Sequence, residues 1–391
     1  MIMFLSSANT ARLINAFKIQ DRCLNYREFA PRLYNYCQSL GFEAGKIMPS
    51  TAFCADESQG YPTLIMNKHF GTFPFNHGRV GGIVATDRHQ PYADHGRDLL
   101  ILQASHVGYD TGTGKFGALK RLYTEDRKCS PACGKIANVL QWYIDEHEFA
   151  RSHVYLEFVD NTPVVTIDNQ LLNDERVEGL FINLHRMTAA DSEGRFAPAA
   201  LHVTGQSFAA SSQLLETLGR DAWKTGQRVE IGHHLLPELF YFKRQIYPTL
   251  ESQQEGGHRL EENLIIAMPW ILTSPEPMLA AAKINTQVEF DRAFRMVARE
   301  PAYAGKRLLL ISGINIDISP GEASEANQMP VVKFVPWAAY YQDMDHSHFS
   351  LEQDALYQAL CQQSSENPNQ LNLDAAVDRC DDAVRVSESP E

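Results

Sequence analysis

Residues 99–102 read Leu-Leu-Ile-Leu, and no stretch of this 391-residue chain restricts its fold more. A continuous apolar run of that length fits a strand buried on both faces, as in a parallel sheet covered by helices. Residues 307–311, Arg-Leu-Leu-Leu-Ile, repeat the pattern far downstream, and residues 331–335, Val-Val-Lys-Phe-Val, offer it a neighbour. Residues 10–40 carry helical periodicity through Leu13, Ile14, Phe17, Leu24, Phe29, Leu33 and Tyr36, with a break or the start of a second helix expected at Pro31 and an end at Gly41. Residues 134–150 do the same through Ile136, Val139, Leu140 and Tyr143. These patterns predict an α/β fold with a largely parallel central sheet flanked by helices.

The region 150–305 mixes a strand at 164–167 with helices expected at 213–219 and 235–245, and a polar loop at 252–257. Residues beyond 361 are rich in Ser, Asn, Asp and Glu, and read as a disordered or loosely docked end. No convincing internal repeat is present.

Charge and cysteine usage narrow the function. The chain holds 48 acidic against 35 basic residues, a formal charge of −13. That argues against nucleic acid and anionic membranes as partners, because both need a basic surface. No apolar run is long enough to span a bilayer, and residues 1–5 lack the basic start of a signal peptide. The seven cysteines (Cys23, Cys37, Cys54, Cys129, Cys133, Cys361 and Cys380) are odd in number and irregular in spacing. Reduced thiols in a cytoplasmic compartment, some of them metal ligands, are the expectation.

Three elements carry chemistry. Cys54-Ala55-Asp56 follows a short strand at 51–54, His106-Val107-Gly108 follows the apolar strand, and Cys133-Gly134 opens a helix. In open α/β sheets, sites gather at the carboxyl ends of strands. A helix N-terminus favours a thiolate at Cys133. Two cysteines and a histidine form a coherent zinc set with one open position. Asp56 is placed to reach the ion or its water, or to close the fourth position itself. Each residue also has a plainer role: Cys54 as a buried small hydrophobe, His106 as a strand-end histidine held by backbone, and Cys133 as packing at a helix start. The glycine-rich stretch 71–82 reads as either a close approach to a ligand or a tight turn packed on the core. Cys129 competes with Cys133 as a ligand. Gly112-Thr113-Gly114-Lys115 lacks the spacing and following hydroxyl of a phosphate-binding loop. His233, His234, His346 and His348 read as surface histidines, and Asp110 as a turn former or a support for the His106 ring.

The run Phe73-Pro74-Phe75, then Gly81-Gly82, then LLILQASHVGYD at 99–110, Gly114-Lys115-Phe116-Gly117 and Ser130-Pro131-Ala132-Cys133-Gly134 resembles the limiting-CO2-inducible B/C family, a branch of β-carbonic-anhydrase-like proteins. The family's Cys-x-Asp-Glu element matches residues 54–57, His-Val-Gly-x-Asp matches 106–110, and Cys-Gly matches 133–134. Residues 311–316 and 331–334 resemble its closing strands. The resemblance implies a single β-carbonic-anhydrase-like domain over 1–345, an insertion at roughly 150–305, and a polar tail at 346–391. It also implies Zn2+ on Cys54, His106 and Cys133, Asp56 beside the metal, reversible hydration of CO2 to bicarbonate by zinc-bound hydroxide, and a homodimer. CO2 is apolar, so Phe73 and Phe75 are expected to line a dry wall, with the Gly81 and Gly82 backbone positioning oxygens.

One departure matters. Many β-carbonic anhydrases carry an arginine two residues past the aspartate, where this chain has Ser58, and Arg79 is the substitute the sequence offers. Without such a partner Asp56 binds zinc and silences the site. The rival expectations are thus a catalytically silent zinc-containing binding or regulatory protein, and a zinc hydrolase of carbonyl sulfide or carbon disulfide on the same scaffold.

Overall fold

In the computed structural model, residues 7–85, 98–121, 129–173, 175–246, 257–319 and 331–377 are described. The elements that matter for the site are helices α1 (Ser7–Ala16), α2 (Tyr26–Ser39), α3 (Gly60–Phe70), α4 (Gly134–His153), α5 (Pro277–Val297) and α6 (Gln353–Cys361). The strands are β1 (Ile47–Ala52), β2 (Phe75–Asn76), β3 (Asp98–Asp110), β4 (Leu308–Ile318), β5 (Val331–Gln342) and β6 (His348–Glu352).

The two apolar runs lie side by side. Leu99 to Leu102 on β3 pair residue for residue with Leu308 to Ile311 on β4, in parallel. β1 joins the other side of β3, also in parallel, and β2 continues the parallel set at the edge. β5 runs antiparallel to β4, and carries both β6 and the short strand Leu24–Asn25. The central sheet is therefore parallel through its middle and antiparallel along one flank.

Both faces of the sheet are covered, as continuous apolar strands require. Alternation sends Leu100, Leu102, Leu309 and Ile311 against Tyr26, Phe29 and Leu33 of α2 and Leu356 and Leu360 of α6. It sends Leu99, Ile101, Leu308 and Leu310 against Phe290, Ala293 and Val297 of α5. Helix α5 is thus a buried layer, which explains its lack of a strong polar stripe.

Four local expectations change. The helical region 10–40 divides at residues 17–25, and Pro31 sits inside α2. The 235–245 stretch forms the strand Phe240–Lys243, whose buried and exposed residues alternate and pair with Gly179–Ile182. Its aromatic, period-two pattern decides against a helix. β3 continues to Asp110, so His106 lies within the strand and not past its end, because β4 pairs with it as far as Tyr109. Residues 361–366 are tied to α2, where Arg32 donates to the Cys361 and Gln363 carbonyls and Asn35 to those of Ser364 and Glu366, and the part of the tail at 378–391 lies outside the described residues. The strand at 164–167 and the helix at 213–219 lie within Thr162–Asp168 and close to Ser212–Leu218. The strand Thr162–Asp168 belongs to a separate five-stranded antiparallel sheet in the middle region. The polar loop at 252–257 and Cys380 fall almost wholly outside the described residues.

Candidate metal centre

The site forms where β1 stops early. β1 pairs with β3 only as far as Ala52 opposite Gln103, whereas β3 and β4 continue. The chain leaving β1 therefore places Cys54 beside the half of β3 that β1 does not pair, next to His106. Cys133 arrives from the other direction as the N-cap of α4. Residues 129–131 pair with 118–120, which carries the chain to that cap.

Cys54, His106 and Cys133 are 7 %, 0 % and 1 % exposed, and their ligand atoms all lie within 4.8 Å of one another. The sulfurs are 3.9 Å apart. Two bonds of about 2.3 Å at a tetrahedral angle would put them about 3.8 Å apart, so the spacing fits one shared ion. His106 Nδ1 lies 2.7 Å from Asp317 Oδ2. That leaves Nε2, which is buried without a hydrogen-bond partner. An orphaned imidazole nitrogen beside two thiols is the arrangement of a metal ligand set. Among the described residues no other such cluster of His, Cys, Asp or Glu occurs.

Asp317 is itself held. Ser58 Oγ donates to it at 2.8 Å and Gln59 Nε2 at 2.9 Å. Asn315 Nδ2 donates to Gln59 Oε1 at 2.7 Å, and Tyr26 OH to Asn315 Oδ1 at 2.8 Å. Strand periodicity puts His106, Asn315 and Asp317 on one sheet face, since Asn315 is the register partner of His106. Ser58 thus serves the carboxylate that holds the histidine.

A second set of contacts grips Cys54 from the opposite face. The Gly81 N–H donates to Cys54 Sγ at 3.1 Å. Gly81 adopts φ +82°, a conformation that favours glycine. Asn285 of α5 donates to the Gly81 carbonyl at 3.0 Å and to Ser105 Oγ at 2.8 Å. Asn263 donates to both Asn285 and Glu289, and Glu289 accepts from Val84 N at 2.8 Å and pairs with Arg292. Close approach is built in at Gly78 as well, where a Cβ would lie 2.1 Å from the Phe53 carbonyl.

The electrostatics follow from these contacts. The Cys133 thiol beside it, opposed by burial and joined by His106 and the Gly81 amide, lowers the Cys54 pKa. The proton shared with Cys54, together with burial, raises Cys133. The more easily ionised sulfur is therefore Cys54, although Cys133 caps the helix. Burial works against a charged His106, but Asp317 and the two thiols outweigh it and raise its pKa well above the usual histidine value.

Asp56 stands outside the ligand set. Its partner is Arg121, whose NH2 lies 3.2 Å from Asp56 Oδ2, with Nε 2.8 Å from Glu57 Oε1. The Ser58 N–H donates to Asp56 Oδ1 at 3.2 Å. Burial raises the Asp56 pKa, but His106, Glu57, the Ser58 amide and Arg121 together leave it below the ordinary value. Arg79 sits half-buried on the glycine-rich turn, its carbonyl accepting from Gly82. Phe73 and Phe75 are exposed, at 64 % and 42 %. Cys129 is exposed, and Asp110 shapes the turn after β3 by accepting from Gly112 N and Thr113 Oγ1.

Sequence reading missed Arg121, Asp317, Asn315, Gln59 and Asn285. Asp317 left a trace, the one charged residue in a mostly apolar strand, and Asn285 and Glu289 are polar residues within a buried helix. Arg121 left none.

No family model matches the chain, and no curated protein matches it. Solved structures similar to it include PtLCIB4, a homologue of the limiting CO2-inducible protein LCIB, at 13 % identity and TM-score 0.49, covering 88 % of this chain and 98 % of that one. LCIB itself is similar at 10 % identity and TM-score 0.43, covering 85 % and 96 %.

Proposed function

We propose that this chain is a zinc-dependent carbonic-anhydrase-like lyase that interconverts CO2 and bicarbonate, working as a homodimer in the cytoplasm. One observation carries the reading: two cysteines and a histidine converge in a buried cluster, with His106 Nε2 left free by the Asp317 contact on Nδ1. Cys54, His106 and Cys133 would hold the ion. When bound, zinc supplies the Lewis-acid chemistry that makes a water nucleophilic near neutral pH.

The chain's own residues supply the rest. Asp317 fixes the ring and tautomer of His106. The Gly81 N–H satisfies Cys54 Sγ and steadies its charge. Asp56, an ionised acceptor restrained by Arg121, is the group available to take a hydrogen bond from substrate water, and its place outside the ligand set supports an open fourth position. Phe73 and Phe75 remain candidates for an apolar wall, Gly81 and Gly82 for backbone contacts to substrate oxygens, and Arg79 for a second cation beside the site. Six described cysteines are free thiols, in keeping with a reducing compartment. No helix among the described residues is long and apolar enough to cross a membrane.

Depth of burial favours a second reading. None of the three ligand residues is more than 7 % exposed, which suits a catalytically silent, zinc-containing binding or regulatory protein. A small linear molecule such as carbonyl sulfide or carbon disulfide would fit wherever CO2 fits.

The test is isotope exchange between CO2 and bicarbonate on protein of known zinc content, with a chelated control. Exchange proportional to zinc is expected. One zinc per chain without exchange would sink the lyase reading and leave the silent one, while turnover of carbonyl sulfide or carbon disulfide alone would redirect it.

A further inference from the structure

A cavity of about 650 Å3 opens between α1, the chain just after it, and the start of α5. Its lining includes the Lys283 side chain together with Lys18, Asp21, Arg22 and Glu276. Lys283 is half-buried and donates from Nζ to the Ile14 carbonyl at 2.9 Å. Among the described residues it forms no ion pair with a carboxylate. A buried amine with a backbone carbonyl as its partner has little to hold its proton. Burial pushes the Lys283 amine down to about 8.

The metal centre makes no use of this group, yet a partly neutral amine in an accessible cavity is a nucleophile for a small electrophile. We propose that Lys283 captures CO2 as a carbamate, which makes the cavity a CO2-responsive modification site separate from the metal cluster. The choice of CO2 as the electrophile rests on the function proposed above. The neutral nitrogen attacks the CO2 carbon, an N–C bond forms, and one C–O π pair moves onto oxygen. The nitrogen then releases a proton to solvent, leaving –NH–COO−. No other reactant is consumed.

The charge around Lys283 suits a reversible change. Arg22 Nε and Lys18 Nζ lie 2.9 and 3.7 Å from the exposed Asp354 carboxylate, so both cations have alternatives to a carbamate. Asp21 and Glu276 oppose a new anion in the cavity. Carbamate formation therefore swaps a group of zero or positive charge for a negative one at the junction of α1 and α5. The same helix α5 holds Asn285, which grips the Gly81 peptide behind Cys54.

The experiment is trapping with a trialkyloxonium reagent in buffer equilibrated with 13C-labelled CO2 at pH 7.5, followed by peptide mass spectrometry. A pKa near 8 in place of the usual 10.4 raises the neutral amine fraction by about two orders of magnitude at that pH. The expected result is alkylated 13C-carbamate on Lys283 at least tenfold above the exposed Lys115. Lys283→Arg keeps the positive charge and should lose the label at that peptide alone. Labelling of Lys283 no greater than that of Lys115 overturns the proposal, whether or not the arginine variant folds. Running zinc-loaded and chelated protein in parallel separates the two ideas, because the label needs no turnover: carbamate without exchange would sink the lyase reading and keep this one.

Discussion

At the residue scale, the ligand set depends on side chains that never touch the metal position. Asp317 is the clearest. Replacing it by Asn keeps the size and one acceptor, but removes the charge that orients His106. Loss of such a supporting partner costs about 10- to 100-fold in metal affinity. Competition titration with a zinc chelator should show that loss in Asp317→Asn with the fold intact by circular dichroism, and unchanged affinity would refute the positioning role. Asn285 makes a parallel case from the opposite face. Asn285→Ala frees the Gly81 carbonyl and Ser105 Oγ inside the core, each costing about 1–3 kcal/mol if unsatisfied. Cobalt-substituted protein should then show a shifted thiolate-to-metal absorption band, which general destabilisation would not produce. The cysteines and histidine were picked out through the motif resemblance, since their spacing alone left each with a plainer role. Their supports were not, since Asn, Gln, Ser and Asp have so many other uses. Arg121 reached Asp56 through the fold alone, from 65 positions away.

At the element scale, α5 holds a carboxylate against its surroundings. Asp291 is 6 % exposed, receives Gln287 Nε2 at 3.0 Å, and burial raises its pKa to about 6, against the lowering effects of Gln287 and Arg295. A raised carboxylate pKa costs nothing while both folded and unfolded chains are protonated, below about pH 4. The cost grows as pH rises through 6 and is complete above it. Asp291→Asn is therefore expected to stabilise the protein by about 1–3 kcal/mol at pH 8 and by almost nothing at pH 3.5. Urea unfolding at the two pH values reads this directly, and equal effects at both would contradict it. Elements were legible where apolar period and length agreed, as in β3, β4 and α4. They were misread where they did not: the aromatic-rich 235–245 stretch answers to either period, and a break inside residues 10–40 was placed at Pro31 because a proline is visible and the pairing of Leu24–Asn25 with β5 is not.

At the scale of the whole molecule, β2 ends the parallel set with one flank unpaired among the described residues, and Phe75 within it and Phe73 just before it stand exposed. A bare sheet edge with aromatic side chains is a ready docking surface. If the proposed homodimer uses this edge, and Phe73 and Phe75 serve it and not a substrate wall, Phe73→Glu with Phe75→Glu halves the mass seen by sedimentation, and a monomeric wild-type chain would end the dimer reading. The register of the central sheet has a further consequence, for the order of assembly. Residues 54, 106 and 133 all emerge from the ribosome early, but Asn285 and Asp317 follow only after the entire middle region has been made. Nascent chains thus carry three loose donors long before they carry a finished socket. The three donors therefore gain their fixed orientation only once β4 has been laid against β3, because His106 is held by Asp317 and the Gly81 peptide behind Cys54 by Asn285.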